Sequence, residues 1–285
     1  MHVPSHLEHL RAEPAGDAWL DALPGLVNEL VTEWQLVVGE PYPTSHVSWT
    51  APAVRDGEPV VLKVQWPHRE CEHEARALSA WAGDGAVRLL DHDPERHALL
   101  LERCDPGTPL SADPDADAVG ALIDLLPHLW VPAGPPFRVL ADEAAGWAAR
   151  LEGRWEAAGR PCERPLVDAA ARYLTDLPPT QGPAVLIHQD LHGDNVLAAQ
   201  REPWLAIDPK PLAGEREMAV APIVRSFELG HSPAAARARL DRCCAELGLD
   251  RERALGWTVA QTMAWSFGSG YWATHHDTVR WLLAG

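Results

Sequence analysis

From Asp17 to Trp34 the apolar residues Trp19, Leu20, Leu23, Leu26, Leu30 and Trp34 recur three and four apart, which predicts an amphipathic helix. Pro24 stands early enough to start or kink it. The period then changes. Leu36–Gly39, Val47–Val54 and Pro59–Gln65 are short β-type runs divided by turn-rich Glu40–Ser45 and Arg55–Glu58. Val47, Trp49 and Ala51 alternate, as a strand with one buried face requires. A helix is predicted over 69–81, then strands over 87–91 and 97–102. The first hundred residues thus read as a small antiparallel sheet with one helix inserted after its third strand.

The Pro/Gly-rich stretch Cys104–Pro109 reads as a break, which divides the chain into a β-rich unit over 1–104 and a unit over 105–285. Beyond it the pattern is helical, over roughly 115–130, 139–159, 163–176, 217–229, 232–246 and 250–283. One strand-like interruption spans 184–208. The fold class is therefore α+β.

Composition narrows the partners. The 285 residues carry 24 basic and 41 acidic side chains, a formal charge of −17. That balance argues against nucleic acid or an anionic membrane surface, which call for clustered cations. It leaves room for a cationic ligand. Only Lys63 and Lys210 are lysines; the other basic residues are arginines. Five cysteines without C-x-x-C spacing disfavour a disulfide framework or a zinc site. No leader and no apolar run of membrane length is seen, so a cytoplasmic protein is expected.

The strand-like interruption holds the chemistry. Val185-Leu186-Ile187 is followed by His188-Gln189-Asp190-Leu191-His192-Gly193-Asp194-Asn195, an apolar run Val196-Leu197-Ala198, and then Trp204-Leu205-Ala206-Ile207 before Asp208-Pro209-Lys210. Phosphoryl transfer needs one carboxylate to orient a hydroxyl and accept its proton. It also needs an amide oxygen and a second carboxylate to hold magnesium on nucleotide phosphates. A loop bearing Asp190 and Asn195, joined by a hairpin to Asp208, converges these groups.

His188–Leu197 resembles the H-G-D-L-H-x-x-N-[VI]-L signature of aminoglycoside phosphotransferase-type kinases. Ala206-Ile207-Asp208-Pro209-Lys210-Pro211 is similar to the subfamily of streptomycin 6-phosphotransferases and hydroxyurea-resistance kinases. The resemblance covers nearly the whole chain. It implies a bilobal protein-kinase-like fold, with a nucleotide-binding N-lobe and a mostly helical C-lobe that carries the catalytic loop and acceptor site. It also implies ATP and magnesium as cofactors. By the same resemblance Lys63 contacts the phosphates, and Glu74 positions it, with Glu70 as the alternative. Glu102 to Cys104 form the hinge to the adenine edge, Asp190 is the catalytic base, and Asn195 and Asp208 are magnesium ligands.

Three departures stand out. The turn after the first strand carries Pro41 and Pro43 where relatives have glycines, so Thr44, Ser45 and their backbone would have to meet the phosphates. Gln189 replaces the usual Gly. Gly214–Ala219 lacks the Asp that relatives often place before the next helix; two readings stay open, Glu217 as a substitute helix-start carboxylate or a looser segment. Lys210 has two open roles: neutralising phosphate charge, or pairing with Asp194 or Glu215.

The expected acceptor is a small molecule, a cationic aminoglycoside such as streptomycin, with hydroxyurea or another hydroxylated metabolite as the alternative. A non-catalytic nucleotide-binding relative is the reading from another class. Asp124, Glu143 and Asp277 are candidate carboxylates for a cationic acceptor. Met263–Trp272, rich in aromatics and glycine, suits a neutral one equally, although Trp265, Trp272 and Trp281 each read singly as helix core. His275-His276-Asp277 invites a metal, but adjacent histidines on a helix diverge by about 100°. A monomer is expected.

Overall fold

The computed structural model describes residues 3–267 and 272–285. It divides into two compact units, Met1–Gly107 and Thr108–Gly285, the break falling within the Pro/Gly-rich segment. The whole is α+β.

In the first unit a 3-10 segment, Ser5–Ala12, precedes α1 (Gly16–Glu33). Gly16 is required there, because a Cβ would stand 1.7 Å from Leu10 O. The helix runs through Pro24 without a break in its assignment. Strands β1 (Val37–Val38), β2 (Ser48–Arg55) and β3 (Glu58–Gln65) are followed by α2 (Glu74–Trp81), β4 (Leu89–Asp93) and β5 (Ala98–Glu102). The sheet order is β1-β2-β3-β5-β4, all antiparallel. The helix expected from residue 69 starts only at Glu74; residues 69–73 are turns.

Period-two alternation gives this sheet two distinct faces. Trp49, Ala51 and Ala53 of β2 and Val60, Leu62 and Val64 of β3 point to one side. There they pack with Leu20, Leu23, Val27 and Leu30 of α1 and with Leu7 and Leu10. The other face carries Ser48, Thr50, Lys63 and Gln65. Thr50 stands directly opposite Lys63, and Ser48 opposite Gln65.

The second unit contains α3 (Ala118–Leu129), β6 (Arg138–Val139), α4 (Leu140–Ala157), α5 (Arg164–Asp176), β7 (Val185–Ile187), β8 (Val196–Ala198), β9 (Trp204–Ala206) and β10 (Leu212–Gly214). These are followed by α6 (Ala221–Arg225), α7 (Pro233–Leu247), α8 (Arg251–Ser266) and α9 (Trp272–Leu283). Caps set several boundaries: Asp117, Ser232 and Asp250 each accept amide hydrogens of the first turn that follows. Helix α8 is buried on nearly all sides from Ala254 to Ala264, as suits its small residues.

The helix expected over 250–283 is two helices. Phe267 leaves helical geometry at φ −80°, ψ 117°, just before a Gly-Ser-Gly sequence of poor helix propensity. The helix expected over 217–229 is a 3-10 turn plus the five residues of α6, ending at Ser226. Strands β6 and β10 were not foreseen. Strand β10 pairs antiparallel with β7 and parallel with β6, while β8 and β9 form the expected hairpin. Among the described residues no helix is long and apolar enough to cross a membrane.

Candidate active site

In the first unit, Lys63 lies on the face of the sheet turned away from α1. Its Nζ donates to Glu74 Oε1 at 2.8 Å and Oε2 at 2.7 Å, and both residues are buried. Gln65 Nε2 donates to the same Oε2 at 2.5 Å. Glu74 is thus held by an ammonium and an amide from one strand. Glu70, the alternative, precedes the start of α2.

A chain of hydroxyls runs beside this cluster. Ser45 Oγ lies 2.7 Å from Ser48 Oγ, which lies 3.0 Å from Thr50 Oγ1. In the preceding turn, Gly39 N–H is committed to Pro52 O and Tyr42 N–H to Thr50 O, and Pro41 and Pro43 have no N–H. The turn thus offers fewer amides than a glycine-rich one, and the Ser45 hydroxyl stands beside it. Glu102 ends β5 with its N–H on Arg88 O and its Oε2 accepting from Arg88 N–H, both at 2.9 Å; Cys104 lies just past the strand.

In the second unit, the loop after β7 is tied at several points. His188 Nε2 donates to Ile207 O at 2.8 Å, and its Nδ1 accepts weakly from Asp190 N–H. Burial holds this imidazole neutral, down to about 4. Lys210 N–H donates to His188 O and Ile207 N–H to Asn195 O, both at 2.9 Å. These bonds bring the segment bearing Asp208 alongside the loop bearing Asp190 and Asn195. Gly193 permits a close approach, since a Cβ would stand 2.9 Å from Ser111 Cβ. Ser111 Oγ donates to Asp194 Oδ1.

Asp190 is the electrostatic centre. Lys210 Nζ donates to its Oδ2, and Arg225 Nη2 donates to its Oδ1 at 3.2 Å. Burial would raise this carboxyl, but the two cations outweigh it and bring it down to about 2. Arg225 also donates to Gln261 Oε1 at 2.6 Å, and Gln261 Nε2 donates to Gln189 O at 3.1 Å. Trp265 lies under both cations, its ring centre 4.8 Å from the Arg225 guanidinium carbon and 5.9 Å from Lys210 Nζ. Gln189 adopts φ +70°, the region that favours the glycine expected there, and its Oε1 is buried without a partner.

Asn195 Nδ2 donates to Asp190 O at 2.9 Å and lies 3.2 Å from His192 Nε2. His192 Nδ1 is 3.3 Å from Glu228 Oε1, which also accepts from Ser226 Oγ. Burial opposes charge on His192, yet the Glu228 hydrogen bond raises it above its ordinary value. Burial likewise opposes charge on Glu228, and hydrogen bonds from His192 and Ser226 bring it down to about 2.

Several expectations need correction. Lys210 pairs with Asp190. Glu215 is instead a buried knot bound by Arg253 and Trp257. Glu143 is buried against Arg138 at 3.1 Å, Asp277 is held by Arg280, and Asp124 is exposed. Trp265 and Trp281 are half-buried and Trp272 is exposed, so none is core. His276 faces Ser266 and Asp277 faces Arg280, and no metal-binding cluster is found among the described residues. Of the aromatic stretch, Gly268, Ser269, Gly270 and Tyr271 lie outside the described residues. Arg225, Glu228 and Gln261 were not foreseen, because nothing in their local sequence sets them apart. Gln65 was legible, since period two places it beside Lys63.

The chain is similar to known proteins in sequence and in fold. Residues 33–276 match the family profile described as aminoglycoside/hydroxyurea antibiotic resistance kinase. The chain is 37% identical to streptomycin 6-kinase of Streptomyces griseus, over 95% of this chain and 92% of that one. It is 40% identical to hydroxyurea phosphotransferase of Kitasatospora aureofaciens, over 90% and 76% respectively. In fold it is similar to the choline kinase LicA of Streptococcus pneumoniae, with a TM-score of 0.66 at 12% identity, covering 93% of this chain and 100% of that one. The α+β fold is thus protein-kinase-like, and the match in sequence extends well beyond the signature loop. The chain belongs to the aminoglycoside/hydroxyurea antibiotic resistance kinase family, and is a small-molecule phosphotransferase.

Proposed function

We propose that the chain transfers the γ-phosphoryl group of ATP to a hydroxyl of an aminoglycoside such as streptomycin, inactivating it. The observation that carries this reading is the loop in which Asn195 Nδ2 bonds Asp190 O while Ile207 N–H bonds Asn195 O. It sets one carboxylate, one amide and the Asp208 segment side by side. The names of the relatives and the family support the same reading.

Magnesium fits the donor set. Asn195 and Asp208 offer hard oxygens, and such a cation takes few protein ligands, with phosphates and water completing its shell. When bound it would neutralise phosphate charge. Lys63, steadied by Glu74 and Gln65, binds phosphate oxygens, joined by Ser45. The main chain from Glu102 to Cys104 meets the adenine edge. Asp190 orients the acceptor hydroxyl. The acceptor O–P bond forms, the bond from phosphorus to the bridging oxygen of ADP breaks, and the hydroxyl proton passes to Asp190 and on to water. With its pKa near 2, Asp190 takes that proton late and acts mainly by orientation. Five free cysteines are in keeping with a reducing, cytoplasmic setting.

A second reading has its own support. Lys210, Arg225 and Trp265 surround Asp190, where a guanidinium-bearing acceptor would favour a ring of carboxylates. That environment suits a small neutral acceptor such as hydroxyurea. Measuring ADP release from ATP with streptomycin and with hydroxyurea separates the two. Stimulation that survives Asp190→Ala would sink the catalytic assignment, and stimulation by neither acceptor would sink both substrate readings.

A further inference from the structure

We infer that His192 and Glu228 are positioning residues, which fix the Asn195 amide so that its oxygen is the end offered to magnesium. This rests on the reading of Asn195 as a magnesium ligand and deepens it.

An amide carries hydrogens at one end and an oxygen at the other, so its orientation decides whether it can hold a cation. Asn195 Nδ2 is 2.9 Å from Asp190 O and 3.2 Å from His192 Nε2. A peptide carbonyl can only accept, so the amide atom facing Asp190 O is the nitrogen. His192 Nε2 then meets an N–H and must accept it. The ring hydrogen is therefore on Nδ1, where Glu228 Oε1 receives it at 3.3 Å. Both hydrogens of the amide have acceptors, and its oxygen is the end that remains for a metal. A hydrogen on Nε2 would instead stand donor against donor, and would favour a turned amide that presents nitrogen where a cation needs oxygen.

The surroundings hold this arrangement in place. Asn195 N–H donates to His192 O at 3.0 Å, so the two residues are joined through backbone as well as side chains. Glu228 is ionised, so it can only accept, and it also takes the Ser226 Oγ hydrogen at 2.7 Å. The buried Arg239 pins its segment at both ends. Nε and Nη2 donate to Val224 O at 3.2 and 2.9 Å, and Nη1 donates to Leu229 O at 3.0 Å and Gly230 O at 2.8 Å. One side chain thus fixes a stretch that phosphoryl transfer does not otherwise use, and Glu228 lies between its anchors.

The test compares calorimetric binding of the manganese–ADP complex with that of ADP in EDTA, manganese standing for magnesium. The ratio of the two affinities reports the metal contact. His192→Leu should lower manganese–ADP affinity by about 10–100-fold, the range for removing a group that orients a metal ligand, and metal-free ADP affinity by less than about threefold. His192→Gln supplies an acceptor of similar reach and should recover part of the loss. Glu228→Ala frees the tautomer and should lose less than His192→Leu, in the same direction. Asn195→Ala should lose at least as much as His192→Leu, and adding His192→Leu to it should cost nothing more. Additive losses, or unchanged manganese–ADP affinity in His192→Leu, would overturn the inference while leaving Asn195 a ligand. Equal losses with and without metal would also overturn it, because the effect would then be on the fold of the site. Unchanged manganese–ADP affinity in Asn195→Ala would refute the magnesium reading of Asn195, and the inference with it. If His192→Leu lacks a cooperative melt, Glu228→Ala, alone and combined with Asn195→Ala, decides by the same comparison.

Discussion

Arg225 Nη2 donates to Asp190 Oδ1 at 3.2 Å, and the same guanidinium reaches Gln261, which holds the carbonyl of Gln189. One buried arginine therefore joins the catalytic loop to helix α8. Replacing it with methionine should cost stability by about 3–5 kcal/mol, the range for breaking a buried ion pair from one side. Turnover should fall at least tenfold as Asp190 loses a brace. Chemical denaturation and steady-state kinetics check both, and a variant as stable as wild type would contradict the arrangement.

Glu74→Gln should raise the KM for ATP more than that for the acceptor. It leaves the buried Lys63 ammonium without its counter-charge, at a cost of about 3 kcal/mol or more. Lys63→Arg should lose most turnover despite keeping charge, because a planar guanidinium cannot occupy the site of a compact ammonium. Near-normal kinetics in Lys63→Arg would mean that Lys63 does not meet phosphate.

Gln189 combines φ +70° with a buried, unpartnered Oε1. Gln189→Gly should remain within about 1 kcal/mol of wild type, relief of backbone strain offsetting lost packing. Gln189→Val should lose at least about 2 kcal/mol, since a β-branched residue is poorly accommodated there. Thermal melts of the two variants give the comparison; equal stability would argue against strain at this position.

Stability should fall as pH drops from about 6.5 toward 4. His188 is held neutral down to about 4 and His275 down to about 3, chiefly by burial, so the unfolded chain takes up protons first. His188 alone corresponds to about 3 kcal/mol over that interval. His192, raised by Glu228 against its burial, works the other way: its contribution is present below 6.5 and is lost as pH rises through its folded value. Denaturant titrations at several pH values should show the net decline, and it should be smaller in His188→Asn. A flat profile between 6.5 and 4 would exclude a buried neutral His188.

Much of this protein was legible from local pattern. The alternation of Val47, Trp49 and Ala51 and the helical spacing from Trp19 to Leu30 define the layers of the first unit, because burial on one face imposes the period of the element. The spacing of Asp190, Asn195 and Asp208 marked the loop, because a short loop and a hairpin allow few ways to place three oxygen groups together.

What surrounds Asp190 was decided only in three dimensions. Arg225, Gln261 and Trp265 come from α6 and α8, distant in the chain, and their neighbours in sequence do not distinguish them from ordinary helix residues. Lys210 was conspicuous as one of two lysines, but a composition count carries no direction. Only the fold of the chain around His188 and Ile207 aims it at Asp190. Sequence period specifies which face a side chain leaves by; which charges then meet depends on contacts between segments far apart in the chain.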